Sequence, residues 1–334
     1  MADARRRARF VRSRTTRLGA AVVGLLLGFS LLGPLLARRG PYESDFLHGI
    51  SPVTGLPVGP GSEFPLGADR IFRDVLSRLA CGGRLSLTIA LAATALATLV
   101  GASVGVVAGF HEGRRSPLPW PAAAGLLVGC GGALSGRAAI GAAALAVGLA
   151  AAIAGRFAGP RIDVDGLLMR FVDVLLAFPF LLLVMAIGAA LEQTSAATIF
   201  LTLGLTGWLG TARLVRAKTM QVRGLEFVLA SRALGQPTIV IVWKHILPGV
   251  AGPLLVVATM QVAQMIVADS ILSYLGLGIA PPTPTWGRML FEGQDYWGTA
   301  PWLVLAPGAA ILLAVWGFNL LGEGLRDALD PGGT

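Results

Sequence analysis

The sequence predicts an all-α, polytopic membrane protein. Three observations lead there. Only 13% of the 334 residues are charged, against about 25% in soluble domains. Mean hydropathy is +0.72. Eight stretches carry no charged side chain: 18–37, 85–110, 116–136, 138–155, 174–191, 193–212, 246–268 and 296–322. Each is long enough, as helix, to cross about 30 Å of hydrocarbon. Lipid offers the backbone no hydrogen bonds, so spanning segments are helices or closed barrels. Barrel strands alternate polar and apolar over about ten residues; these runs are continuously apolar. About eight helical spans are therefore expected.

The elements follow in order. Residues 1–17 hold Arg5, Arg6, Arg7, Arg9, Arg12, Arg14 and Arg17, which predicts a cytoplasmic N-terminus by the positive-inside rule. A cleaved signal peptide is the other reading of this end. Against it, the apolar run 18–37 is longer than a usual signal core, and Leu36-Ala37-Arg38-Arg39 is a poor cleavage site. Span one covers 18–37. Residues 38–84 form a polar, Pro/Gly-rich excursion outside. Within it, Ile71, Val75, Leu76 and Leu79 share one helical face, which predicts an amphipathic helix at the membrane surface. The transmembrane domain proper covers 85–322. Span two (85–110) returns to the cytoplasm. Span three is expected at 167–190, four at 194–212, five at 249–270 and six at 302–321. Residues 213–248 form a cytoplasmic loop, 271–300 an outer segment and 323–334 a cytoplasmic C-terminus. The outer segment is uncharged over 270–287 and rich in Pro and Gly. Such backbone at membrane depth must be buried in protein or line a cavity, so a segment dipping back into the protein is expected.

Between spans two and three lies an Ala/Gly-rich apolar stretch, about 114–161, broken at Gly136-Arg137 and flanked by Arg114, Arg115, Arg156 and Arg161. Spans two and three both have their near ends in the cytoplasm, so an insertion here crosses an even number of times. A hydrophobic hairpin with Arg137 at its outer tip is expected. On this topology 19 Lys/Arg fall in the cytoplasm and eight outside.

The net charge of +9 is not a nucleic-acid footprint, because the charges sit at span ends. Cys81 and Cys130 are the two cysteines, and His48, His111 and His245 are far apart; neither a disulfide nor a metal-ligand pattern is expected. No Gly-x-x-x-x-Gly-Lys-Ser/Thr phosphate loop occurs. The one Gly-x-Ser-x-Gly spacing, Gly101 to Gly105, lies inside the apolar run 85–110 and not at a strand-to-helix turn, and no His-Glu-x-x-His pair occurs. An intramembrane enzyme therefore lacks its constellation. Asp173, Glu192 and Asp269 lie at or near span ends, where an acid is a candidate for gating or proton transfer as well as for helix-end pairing.

The most informative stretch is 226–253, which reads Glu226-Phe227-Val228-Leu229-Ala230-Ser231-Arg232-Ala233-Leu234-Gly235 and ends in Lys244-His245-Ile246-Leu247-Pro248 and beyond. It resembles the cytoplasmic EAA loop of ABC-importer permeases, most closely the dipeptide/oligopeptide branch. That pattern is Glu-Tyr-Val-x-Ala-Ala-Arg-Ala-Leu-Gly, then Arg-His-Ile-Leu-Pro. Leu229 and Ser231 depart from the motif's glutamate and second alanine. Further similarities occur in order. They are Gly67-Ala68-Asp69 to Leu79, Arg84-Leu85-Ser86-Leu87, Leu168-Met169-Arg170-Phe171-Val172-Asp173, Leu272 to Gly278, Pro281 to Gly287 and Asn319 to Pro331. Phe72 stands where the family has a glycine, so a different local turn is expected.

The resemblance implies a six-helix permease core, here with the inserted hairpin. It implies that Glu226, Ala230, Ser231, Arg232, Gly235, His245 and Pro248 couple to an ATPase, with Gly235 turning the chain. It makes Asp173, Phe178, Pro179 and Asp269 gate or pathway candidates. Implied partners are a second homologous permease subunit, two ATPase subunits or domains, an extracytoplasmic solute-binding protein and the bilayer of the inner membrane. No cofactor is expected on this chain; ATP and Mg belong to the ATPase. The implied solute is a peptide, with nickel, glutathione or an oligosaccharide as alternatives. An ion-coupled secondary transporter remains the rival of another class.

Overall fold

A computed structural model describes residues 13–37, 39–52, 54–113, 115–117, 161–190 and 195–329. The expected hairpin, with Arg137 and Arg156, lies outside the described residues, as do Glu192, Arg38 and the arginines before Ser13. The described elements are helices apart from one antiparallel pairing of β1 (Arg115–Pro117) with β2 (Arg161–Asp163), while the described residues of 39–74 run in turns with isolated bridges. That pairing brings the two ends of the inserted segment together. Among the described residues five helices are long and apolar enough to cross a membrane, or six if one bent pair counts as a single span.

Helix α1 (Arg14–Leu36) packs against the last helix. Helix α2 (Val75–His111) starts where the Asp74 carboxylate accepts from Leu76 N and Ser77 N at 3.1 and 3.4 Å, an N-cap that satisfies two otherwise orphaned donors. Burial raises the Asp74 pKa, and those two N–H groups pull it back down. The start at Val75 corrects the expected surface helix over 69–79. Residues 69–73 form a turn, and Val75 onward is already the membrane helix. Phe72 holds that turn at φ 64°, left-handed backbone that glycine enters freely and other residues seldom do. The substitution therefore keeps a glycine-like turn.

The expected helix also placed Arg73 and Arg78 against lipid headgroups. They are instead buried in an ion cluster. Arg73 Nε lies 2.6 Å from Asp69, and Arg78 reaches Glu292 at 2.9 Å. Arg73 and Arg288 also contact Glu292, both at 3.2 Å. Arg39 pairs with Asp45 at 3.0 Å and Glu63 at 2.9 Å, and its guanidinium stacks on Phe64.

Helices α3 (Val164–Leu176) and α4 (Phe180–Ala190) meet at an 88° bend. The stretch expected as one span three is thus two helices set at a steep angle. Proline disfavours helix at the preceding residue and lacks an N–H, which makes Pro179 a natural place for the break once packing selects it. Helix α5 (Ala196–Arg223) opens on Ser195, whose hydroxyl accepts from Thr198 N. It continues well past the expected end of span four. Helix α6 (Glu226–Ala233), the one-turn α7 (Thr238–Ile241) and a π turn at Val242–Ile246 lead into α8 (Leu247–Tyr274). Helix α9 (Trp286–Gly293) lies between α8 and α10 (Trp302–Leu329), which continues into the expected C-terminal tail as far as Leu329. Trp286 is fully buried and donates from Nε1 to Leu79 O at 3.0 Å.

The tightest pair is α2 with α5. Gly101, Gly105 and Gly109 line α2 where it touches Thr211, Ala212, Val215 and Thr219 of α5. Small residues at four-residue spacing let membrane helices approach backbone to backbone.

Candidate functional site

The segment 226–248 is built from short helices that stop abruptly. Glu226 sits in the first turn of α6, where its charge suits the helix dipole. The helix ends in a Schellman motif: Gly235 N donates to Arg232 O at 3.0 Å and Gln236 N to Ser231 O at 3.2 Å. Gly235 takes φ 76° there, the left-handed position that glycine fills without strain. Pro248 follows the π turn, inside a helical run that is continuous from Thr238 to Tyr274.

Side chains of this segment divide by face. Val228, Ser231, Ile241 and Ile246 are buried. Ser231 Oγ donates to Phe227 O at 2.9 Å and lies 3.2 Å from His245 Nε2, so Ser231 and His245 tie α6 to the π turn. Phe227 packs on the His245 ring. Arg232 stacks over Phe110 at the end of α2. Glu226, Ala230, Gly235 and Pro248 face outward. Phe227, Leu229, Leu234, Ile239 and Trp243 of the same segment are exposed apolar side chains, Leu234 82% and Trp243 66% exposed.

The basic residues of the expected loop are not all available to a partner. Arg213 pairs with Asp173, Arg216 with Asp165 at 2.5 Å, and Arg223 with Glu112. Arg223 also donates to Phe110 O and Glu112 O at 3.2 and 3.0 Å. Asp165 and Glu112 were not among the sequence candidates, because their partners lie 51 and 111 residues away.

A cavity of about 620 Å³ opens between α3, α4, α5, α8 and α10. Among the described residues no charged side chain lines it. Its polar groups come from Thr206, Gln261, Gln264 and Asn319. Gln261 bridges α5 and α8 by donating to Gly207 O at 2.7 Å and accepting from Thr211 Oγ1 at 3.3 Å. Of the four pathway candidates, Phe178 lines the cavity. Pro179 marks the bend beside it. Asp173 is half-exposed against Arg213. Asp269 is fully buried with the Ser86 hydroxyl beside it, away from the cavity wall.

Comparison with known proteins agrees with this architecture. Residues 144–332 match the family described as binding-protein-dependent transport system inner membrane component. The oligopeptide transport system permease protein OppC of Bacillus subtilis is 29% identical over 323 residues, covering 97% of this chain and 87% of that protein. The di/tripeptide transport system permease protein DppC of Pseudomonas aeruginosa is 34% identical over 317 residues, covering 94% and 87%. The glutathione transport system permease protein GsiD of Pectobacterium atrosepticum is 30% identical over 323 residues, covering 97% and 89%. With its apolar helices and the 226–248 segment between two of them, the chain belongs to the binding-protein-dependent transport system inner membrane component family, as a multi-pass permease subunit.

Proposed function

We propose that this chain forms half of the passage of an ATP-driven importer for di- or oligopeptides. A second permease subunit supplies the other half, an extracytoplasmic binding protein delivers the solute, and two ATPase subunits drive the cycle. Both termini and the 226–248 segment lie in the cytoplasm. The observation that carries this reading is the set of exposed apolar side chains on 226–248, Leu234 and Trp243 foremost, between two long membrane helices, α5 and α8. A groove on an ATPase would cover it, and closure of that ATPase would then move both helices. The cavity suits the passage, because a lining without fixed charges does not trap peptides that bear either sign. Peptide is favoured by the relatives' names, and the glutathione permease among them keeps that tripeptide as a second candidate.

The test is reconstitution. The purified chain alone should neither bind nor hydrolyse ATP. With its ATPase and permease partners in proteoliposomes, peptide-loaded binding protein should stimulate hydrolysis and uptake that survives uncouplers. Saturable ATP binding to the isolated chain, or uptake abolished by uncouplers with ATP intact, would overturn the reading.

A further inference from the structure

We propose that the Arg213–Asp173 and Arg216–Asp165 pairs fasten the half-helix α3 to α5, so that motion of the coupling segment reaches the cavity wall. The inference rests on the coupling role proposed above and names the residues that relay it.

Among the described residues helix α3 has little fully buried apolar surface, though Met169 and Leu175 lie against the core and the helix also touches α2. Of its 13 residues, the buried ones are Asp165 and Val172. Leu167, Phe171 and Val174 are at least half exposed. Its far end is the 88° bend, so it is not stiffened by α4. What joins it to α5 is electrostatic. Asp165 takes a bidentate contact from Arg216 Nε and a terminal nitrogen, both at 2.5 Å. Eight residues on, Asp173 takes Arg213. The two acids lie eight residues apart on α3 and their arginines three apart on α5, so α3 is tied at two places to one short stretch of α5. The bidentate Arg216–Asp165 contact fixes orientation as well as distance, and the single, half-exposed contact of Arg213 with Asp173 adds a second point against swinging.

Both ends of this linkage have a use. Helix α5 runs unbroken to Arg223 and then, across Gly224 and Leu225, into α6. Leu175, Leu176 and Phe178, at the end of α3 and the bend, line the cavity. A displacement of α6 therefore travels along α5 and crosses the two ion pairs. It reaches the cavity at the bend between α3 and α4. Asp173 and Arg213 are positioning residues in this scheme: they do not line the cavity themselves.

Charge reversal and charge swap test it in the whole reconstituted complex, read as peptide imported per ATP hydrolysed. Asp173→Arg and Arg213→Asp should each lower that ratio at least tenfold while hydrolysis continues. The swapped pair, D173R with R213D, should recover at least half of it, and D165R with R216D should behave likewise. If a reversal fails to assemble, the neutral variants Asp173→Asn and Arg213→Gln serve, and their double variant should be no worse than either single. Ratios within twofold of wild type, a swap as poor as its singles, or neutral losses that multiply in the double would overturn the proposal. A wild-type complex without ATP-dependent uptake would refute the coupling reading itself instead.

Discussion

Gly105→Leu should prevent stable assembly of the transmembrane domain. A β-carbon at 105 would sit 2.6 Å from Ala212 O, 2.7 Å from Val215 Cβ and 2.9 Å from Arg216 N. Two of these are backbone atoms of α5, which no rotamer change can move. Gly101 and Gly109 make similar approaches, at 2.7 Å to Thr211 and 2.6 Å to Arg216 O, so the helices cannot slide along each other to make room. Overpacking of an ordinary core costs about 1–3 kcal/mol; a leucine here should exceed that range. Gly105→Ala should be intermediate. Membrane abundance and the midpoint of denaturant unfolding in detergent report the effect. Wild-type values for Gly105→Leu would mean that α2 and α5 do not meet along this glycine row.

Glu292→Ala is the second large effect. Its carboxylate faces Arg73, Arg78 and Arg288, and the Arg73 and Arg78 side chains are 5% and 1% exposed. Removing one partner of a buried ion pair costs about 3–5 kcal/mol, because the remaining charge is left uncompensated. Asp69 still contacts Arg73 and Arg78, so the lower half of that range is expected. Glu292→Gln, which keeps volume and one acceptor, should lose less. Since Glu292 lies on α9 and its partners before and within α2, limited proteolysis should show the 39–74 segment released first. An unchanged unfolding midpoint for Glu292→Ala would show that the cluster does not hold α9 to that segment.

Much of this was legible in the residues, and the misses have physical reasons. Uncharged runs marked the long apolar helices, since lipid permits little else, and the 226–248 wording marked the segment proposed above to couple. The glycine row at 101, 105 and 109 is equally readable at its four-residue spacing. The bend in span three was not readable from proline alone. Pro34, Pro253 and Pro307 lie inside α1, α8 and α10 without ending them, so neighbouring packing decides which proline breaks a helix. Arg73 and Arg78 looked like interfacial residues because Glu292 lies more than 200 positions away. Periodicity reports one helix's face and cannot report a partner brought in by tertiary folding. Asp165 was missed for the same reason, and Asp173 was found through its motif, without its partner Arg213.

The coupling role of the 226–248 segment is tested most directly by Gly235→Trp in the reconstituted complex, with uptake and hydrolysis measured together. At φ 76° any side chain is strained, at about 1–2 kcal/mol, and a β-carbon there meets nothing within 4 Å. The membrane helices should therefore insert and assemble normally. A tryptophan projecting beside Leu234 should unseat the segment from its ATPase. The expected result is ATP hydrolysis that persists in the mixture while peptide uptake falls at least tenfold and the ATPase no longer copurifies. Normal uptake by the Gly235→Trp complex would contradict the assignment of this segment as the coupling element.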